Sequence, residues 1–266
     1  MQALQSLFAV VFLVSVFSEY RWARRQAHEV YNLRETLSNL SMAVGNGLIK
    51  PLTLAWGLLL LSAVESWQIW RLPEGLGSFI VTFVVVDLAY YGYHRASHEV
   101  AALWTLHYTH HSSPWMNLTT ALRLNWVAKF VSPVFFLPLV LVGFSPIYVS
   151  ASLALGLLFQ FFLHTEAVGK LGRFEGMLLN TPSAHRVHHG ANDEYIDRNY
   201  AGVFIVWDRL FGTYTPESAP VRYGVTTGFA GHNPFVVQFR PLWQFVRGRW
   251  RRERHVRRVP DAPLLP

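Results

Sequence analysis

The sequence predicts an all-α integral membrane bundle of about four to five apolar segments, capped on one side by a histidine-rich region. Three observations predict it. The 266 residues are 52% hydrophobic and only 15% charged, against roughly a quarter charged in ordinary globular chains. Apolar stretches near spanning length alternate with short polar ones. The histidines gather where those stretches end, as in HRASHEVAALWTLHYTHH (94–111).

The elements follow in order. Residues 4–17, LQSLFAVVFLVSVF, lack the basic start and small-residue cleavage site of a signal peptide, so a retained anchor is expected, with a basic linker to residue 34. A second segment runs from about Met42 to Val64, with Lys50 snorkelling to the interface. The third, 76–93, can cross about 30 Å of hydrocarbon at about 1.5 Å per residue. It contains Asp87, and a carboxylate at such a position is costly enough to need a purpose. Segments 124–144 and 146–163, joined by GFSP, form a hairpin that either spans or re-enters. Residues 167–266 read as a cap of short helices and loops, ending in a basic tail from 236.

Charge orients the bundle. Arg21, Arg24, Arg25 and Arg34 follow the first segment, whereas Arg71 alone separates the second from the third. The positive-inside rule then places the N-terminus outside, Trp67 and Trp70 in the outer aromatic belt, and every histidine cluster on the cytosolic side. Many of the arginines behind the net charge of +7 lie in VRGRWRRERHVRR, which reads either as a tail on anionic lipid head groups, a more natural partner than nucleic acid, or as a solvated tail. The preference for arginine over lysine hints at a bacterial source and hence an inner membrane. With no cysteine in the chain, disulfides, thiolate metal sites, iron–sulfur clusters and a thiol nucleophile are excluded.

His94 and His98, four apart, share a helix face. His107, His110 and His111 form an H-x-x-H-H set, repeated by His185, His188 and His189, while His164 ends the fifth apolar segment. His28, His232 and His255 carry no spacing signal. Neutral imidazole binds iron, zinc, copper or nickel, and eight or nine ligands are too many for one tetrahedral ion and about right for two metals. Each ring also needs an outer partner to fix its tautomer. Asp87, two turns before His94, is the first candidate; Glu99, Glu166 and Asp193 follow, and Asn199 is a polar support after the third box. A membrane metal transporter and a bis-histidine haem electron carrier are alternatives. The first predicts polar residues continuing through the spans and the second isolated facing histidines, and the boxes fit neither well.

DLAYYGYHRASH, LHYTHHSS, HRVHHG and NYAGVFIVWDRLFGTY together resemble the sterol desaturase and fatty acid hydroxylase superfamily of membrane di-iron oxygenases, over roughly residues 35–235. The resemblance implies two irons bound by His94, His98, His107, His110, His111, His185, His188 and His189, with O2-dependent hydroxylation or desaturation of a lipid C–H bond. His164 matches an extra histidine found in many members, and GHNPFVVQF, around Asn233 and Pro234, is similar to bacterial members related to alkylglycerol monooxygenase. The substrate is then expected between the spans, with Phe79, Phe83, Phe135, Phe136, Phe159, Phe161 and Phe162 as possible lining and Asp208–Arg209 as a structural pair. No nucleotide-binding glycine motif is present, so electrons are expected from a separate reductase, ferredoxin or cytochrome docking on the cap.

Overall fold

The computed structural model describes residues 2–249, with side chains from Val10 onward. His255 and most of the basic tail lie outside the described residues. In chain order the helices are α1 (Gln2–Arg25), α2 (Leu33–Glu65), α3 (Leu76–Glu99), α4 (Ala101–His111), α5 (Ala128–Val131), α6 (Leu137–Val142), α7 (Pro146–Phe161), α8 (Pro182–His188), α9 (Val206–Leu210) and α10 (Pro234–Val246). Among the described residues there is no β-strand, only isolated bridges pairing Leu179 with Phe204 and Gly190 with Tyr223.

Two helices, α2 and α3, are long and apolar enough to cross a membrane. They leave Leu52, Leu54, Leu58 and Leu59 on α2, and Leu76, Ile80 and Val81 on α3, exposed to the surroundings. A core helix of a soluble protein would bury such a surface, so bilayer is its solvent. The protein is a membrane protein on this ground. Between the spans lies an apolar core of Leu61, Val86, Phe136, Val140, Phe144 and Val149.

The stretch 124–144 is not one helix. Asn125 Oδ1 accepts from the amides of Val127 and Ala128 and starts α5, which gives way after four residues to a 3₁₀ stretch, Ser132–Phe136, before α6 begins. Pro133 and Pro138 explain the break, because each removes an amide donor and crowds the preceding turn. The resulting 128–142 arm and the 16-residue α7 both fall short of the about 20 residues that a span needs. They form a short hairpin that returns the chain to the side of α4. Its bend needs Gly143, at φ +128°, where a Cβ would come within 2.3 Å of the Trp70 carbonyl oxygen. That close approach pins the α2–α3 loop, through Ile69 N–H to Leu141 O and Leu72 N–H to Gly143 O, both 3.0 Å.

Helix α2 starts nine residues earlier than the apolar run suggests, at Leu33 rather than Met42, capped by the Asn32 side chain on the Glu35 amide. Its added turns bury Glu35, Ser38 and Asn39 against the cap. There Arg123, fully buried, donates to Glu35 Oε1 at 2.7 Å and to Asn39 Oδ1, Thr109 O and Ser112 Oγ at 3.0 Å. Glu35 Oε2 accepts in turn from His232 Nδ1 at 2.8 Å. Three regions distant in sequence therefore meet at one ion pair beside the end of α4. Helix α1 joins the cap in the same manner: buried Glu19 accepts from the Leu118 amide at 2.8 Å and from the hydroxyls of Tyr31 and Thr165.

Removing one partner of a buried pair leaves the other charge without its counter-ion. Glu35→Ala is therefore expected to cost about 3–5 kcal/mol, and the double variant Glu35→Leu/Arg123→Met much less. Thermal unfolding in detergent, read by circular dichroism, checks the order; equal losses would show that the pair is not what holds α2 to the cap.

Candidate metal centre

The histidines are delivered by three short helical pieces and one helix end. α3 carries His94 and His98 at its last two turns. Val100, in extended conformation, then breaks the helix and α4 folds back with His107, His110 and His111. α8 is short but well started: Thr181 Oγ1 accepts from the Ala184 amide at 3.1 Å and Pro182 occupies the first turn, presenting His185, His188 and His189. His164 follows α7.

All nine gather into two groups, buried except for the half-buried His107: His94, His98, His107, His111 and His188 in one, and His110, His164, His185 and His189 in the other. Within each, one ring nitrogen per residue lies within 4.8 Å of the rest. Helical geometry explains the division. In H-x-x-H-H the first and last histidines are one turn apart on one face, and the middle one is rotated away. Box two sends its pair, His107 and His111, to the first group and the lone His110 to the second. Box three does the reverse, sending His185 and His189 to the second and the lone His188 to the first. The groups interlock where His111 stacks on His189 at 4.4 Å between ring centroids.

The protonation states follow from the hydrogen bonds. His94 Nδ1 faces Tyr200 O at 2.8 Å, His164 Nδ1 faces Gln160 O at 2.8 Å, and His188 Nδ1 faces Arg198 O at 3.0 Å. A carbonyl only accepts, so each of these nitrogens carries the proton and each inward Nε2 is a lone pair. The Nε2 atoms converge within each group. His107 Nε2 lies 3.0 Å from His94 Nε2 and 3.1 Å from His111 Nε2, while His164 Nε2 lies 3.2 Å from His110 Nε2 and 3.1 Å from His185 Nε2. The buried Nε2 atoms of His188 and His189 have no protein hydrogen-bond partner. Burial and neighbouring imidazoles hold His107, His110, His111, His185, His188 and His189 well below the usual histidine range, so protonation does not relieve the crowding. A cation at each convergence does, and neutral imidazoles with inward lone pairs are the donor set that a transition metal takes.

The remaining expected residues are placed differently. Asp87 bonds to no imidazole; it accepts from the amides of Val203 at 2.8 Å and Phe204 at 2.9 Å and from Trp207 Nε1 at 2.9 Å. It thereby holds the loop whose Tyr200 carbonyl fixes His94. Asn199, at φ +55°, also acts on this loop, donating to Ala184 O and Thr215 O and accepting from the Thr215 amide. Glu99 pairs with Arg95 at 2.7 Å, Glu166 with His28, and Asp193 is exposed. Asp208 and Arg209 do not pair with each other. Asp208 accepts from the Tyr200 and Ala201 amides at 2.7 and 2.8 Å and from Thr213 Oγ1 at 2.7 Å, while Arg209 donates to Gly176 O and lies over the Tyr214 ring. Of the phenylalanines expected along a slot, Phe79 packs edge-on to Tyr148, Phe83 to Phe204, Phe135 on Tyr93, and Phe161 on Phe162. Those contacts are ordinary packing.

Sequence reasoning missed Asp197. Its carboxylate lies 3.5 Å from His98 Nδ1, on a backbone at φ +58°. It borders a cavity of about 40 Å³ that opens beside the first group and is also lined by His98, Trp104, His111, His188 and Val225. That volume holds about one water. The non-glycine left-handed backbone at Asp197 and Asn199 is the local mark of this loop, and no residue pattern announces it.

Asp87→Ala leaves two amides and an indole N–H without their acceptor, at about 1–3 kcal/mol for each buried donor. The expected result is a large fall in thermal stability together with weakened metal retention, because the Tyr200 carbonyl moves with the loop; Asp193→Ala changes neither. Stability lost with full metal retention would separate Asp87 from the centre.

With the geometry in hand, comparison with known proteins is informative. The fatty acid hydroxylase family model matches residues 79–213, a stretch containing all nine histidines. Alkylglycerol monooxygenase of Xenopus tropicalis is 38% identical over 235 residues, covering 87% of this chain and 51% of that protein. The Homo sapiens enzyme of the same name is 42% identical over 187 residues, covering 70% of this chain and 42% of its own length. Ornithine lipid hydroxylase of Rhizobium tropici is 26% identical over 154 residues, covering 55% and 45%. The chain thus spans about half the length of the curated relatives it matches. No solved structure matches. A family match over half of the chain, embracing every histidine of both groups, makes the chain a member of the fatty acid hydroxylase family.

Proposed function

We propose that this protein is a membrane di-iron monooxygenase that hydroxylates a lipid, with an ether lipid of the alkylglycerol type as the first substrate to test. The observation that carries the reading is the pair of all-imidazole groups with converging ring nitrogens. The names of the relatives, alkylglycerol monooxygenase and ornithine lipid hydroxylase, support a lipid substrate and an oxygen-dependent reaction.

His94, His98, His107, His111 and His188 would hold one iron and His110, His164, His185 and His189 the other. Bound iron supplies the capacity to activate O2 against a saturated C–H bond, which offers no proton to a general base. The chain's own contribution is positional. The carbonyls of Tyr200, Gln160 and Arg198 hold ring protons outward; Asp87, Asp208 and Asn199 hold the loop that carries the Tyr200 and Arg198 carbonyls, and Gln160 is held within α7. The small cavity gives the first group a solvent-sized opening, and the lipid would approach from the bilayer side. Electrons come from a separate donor, a reductase, ferredoxin or cytochrome, docked on the cap. The positive-inside asymmetry supports a cytosolic cap, and the preference for arginine over lysine supports a bacterial inner membrane. A transport path is disfavoured because Asp87, the carboxylate within α3, is held by three donors rather than facing a file of polar groups.

The test begins with metal content and iron Mössbauer spectra of the anaerobically purified protein, followed by turnover of alkylglycerol under ¹⁸O2 with a chemical or enzymatic reductant. Two coupled irons and one labelled oxygen in the product are expected. Because each ion needs its own deprotonated ligand set, His188→Ala and His185→Ala should perturb different irons, and His164→Ala, leaving three histidines in its group, should release about one iron of the two more readily than His98→Ala. A single haem, or iron unaffected by these substitutions, would overturn the proposal.

A further inference from the structure

Beside the cap, the first half of α2 is amphipathic in the reverse of the usual sense, and α10 leaves an apolar, aromatic side uncovered. In the first half of α2, Glu35, Ser38, Asn39 and Asn46 face inward and are buried, while Leu33, Leu37, Leu40, Val44 and Leu48 recur at helical spacing on the opposite face, with Leu48 78% exposed. In α10, Val237, Gln238 and Pro241 are buried against the protein. There Thr109 Oγ1 donates to Val237 O, Asn125 to Gln238 O, and Gln238 Oε1 accepts from the Trp126 amide. The other side of α10 exposes Phe235, Phe239, Trp243 and Val246. In water α2 would turn these faces the other way, since polar groups gain nothing from burial when apolar ones are left exposed, and an aromatic row as exposed as that of α10 would call for cover.

The two faces form one surface. Trp126 joins them, its indole N–H bonded to Met42 O of α2 and its ring 5.5 Å from Phe235 and 6.0 Å from Phe239 of α10. The α2 stripe continues without a break into the exposed Leu52 and Leu59 of the spanning half. Arg240 and Arg247 border the α10 face, and the Arg247 guanidinium lies 4.1 Å from the Trp243 ring centroid. An aromatic edge flanked by arginines suits a head-group boundary.

We infer that α10 and the first half of α2 form a lipid-contacting surface, so that the cap is seated in the head-group and upper acyl region of the bilayer on this side rather than standing clear in water. The occupant of the surface is phospholipid. Helix α10 packs on α4, which carries His107, His110 and His111. The histidine groups are therefore within one helix layer of the bilayer boundary, whatever reaction they support.

The absence of native cysteine makes the test direct. Leu40→Cys and Phe239→Cys are each spin-labelled in the full-length protein, in nanodiscs of phosphatidylethanolamine and phosphatidylglycerol. Leu59→Cys, exposed on the span, serves as the lipid reference and Glu194→Cys, exposed on the cap, as the aqueous one. Accessibility to O2 and to neutral nickel ethylenediaminediacetate is measured by power saturation. The expected result is an oxygen-to-nickel ratio at both test sites several-fold above that of Glu194→Cys and approaching that of Leu59→Cys, with depths of roughly 5–10 Å. Nickel accessibility equal to that of Glu194→Cys overturns the inference. Shielding from both reagents also overturns it, by showing protein, such as a second copy of the chain, in place of lipid. Opposite behaviour of the two sites breaks the single surface.

Discussion

The structure depends on one constraint: nine imidazoles must be buried together while neutral, each with one nitrogen turned toward the centre. Desolvation alone keeps the proton off, but it does not choose which nitrogen is bare. For three of the nine that choice is made from outside by backbone carbonyls, Tyr200 for His94, Gln160 for His164 and Arg198 for His188. A carbonyl offers no side-chain freedom, so ring orientation is only as good as the loop that carries it. The 198–215 region is accordingly tied down by Asp87, Asp208 and Asn199, none of which bonds to an imidazole.

The H-x-x-H-H spacing is best understood as a device for sharing. A single helix cannot surround two centres, but it can offer one turn-spaced pair to one and the intervening residue to the other. Two such helices with opposite assignments give each group three rings. The asymmetry that remains is made by α3, which adds two to the first group, and by His164, which adds one to the second. A short bent hairpin is what brings His164 there, so the break at Pro133 and the turn at Gly143 serve the centre as much as the core.

Much of this was legible in the residues because it is periodic. The two long helices, the three boxes and the grouping of histidines all follow from spacing, and the burial of Asp87 followed from its setting in an apolar run. Its partner did not. Nothing in the sequence near Asp87 indicates that Val203 and Phe204, over a hundred residues later, need an acceptor. Glu35 with Arg123, and Glu19 with Leu118, are illegible for the same reason. Other differences were open to reading: Pro133 and Pro138 argue against a continuous helix over 124–144, and the adjacency of Asp208 and Arg209 is no reason for pairing when consecutive helical residues point in different directions.

The buried carboxylates complete the logic by staying out of the centre. Asp87, Asp208 and Glu19 each accept from backbone amides, and Glu35 meets Arg123. Burial pushes the Asp208 carboxyl up, and its bonds from Thr213, Ala201 and Tyr200 oppose that shift by favouring the ionised acceptor. Where water is scarce, an irregular loop has amides that no helix satisfies, and one carboxylate can serve two at once. Acids used in this way fix loops, and the loops fix imidazoles. The division lets the two groups remain all-nitrogen without leaving the surrounding backbone unsatisfied, which is why a cap with so little regular structure can hold nine rings in register.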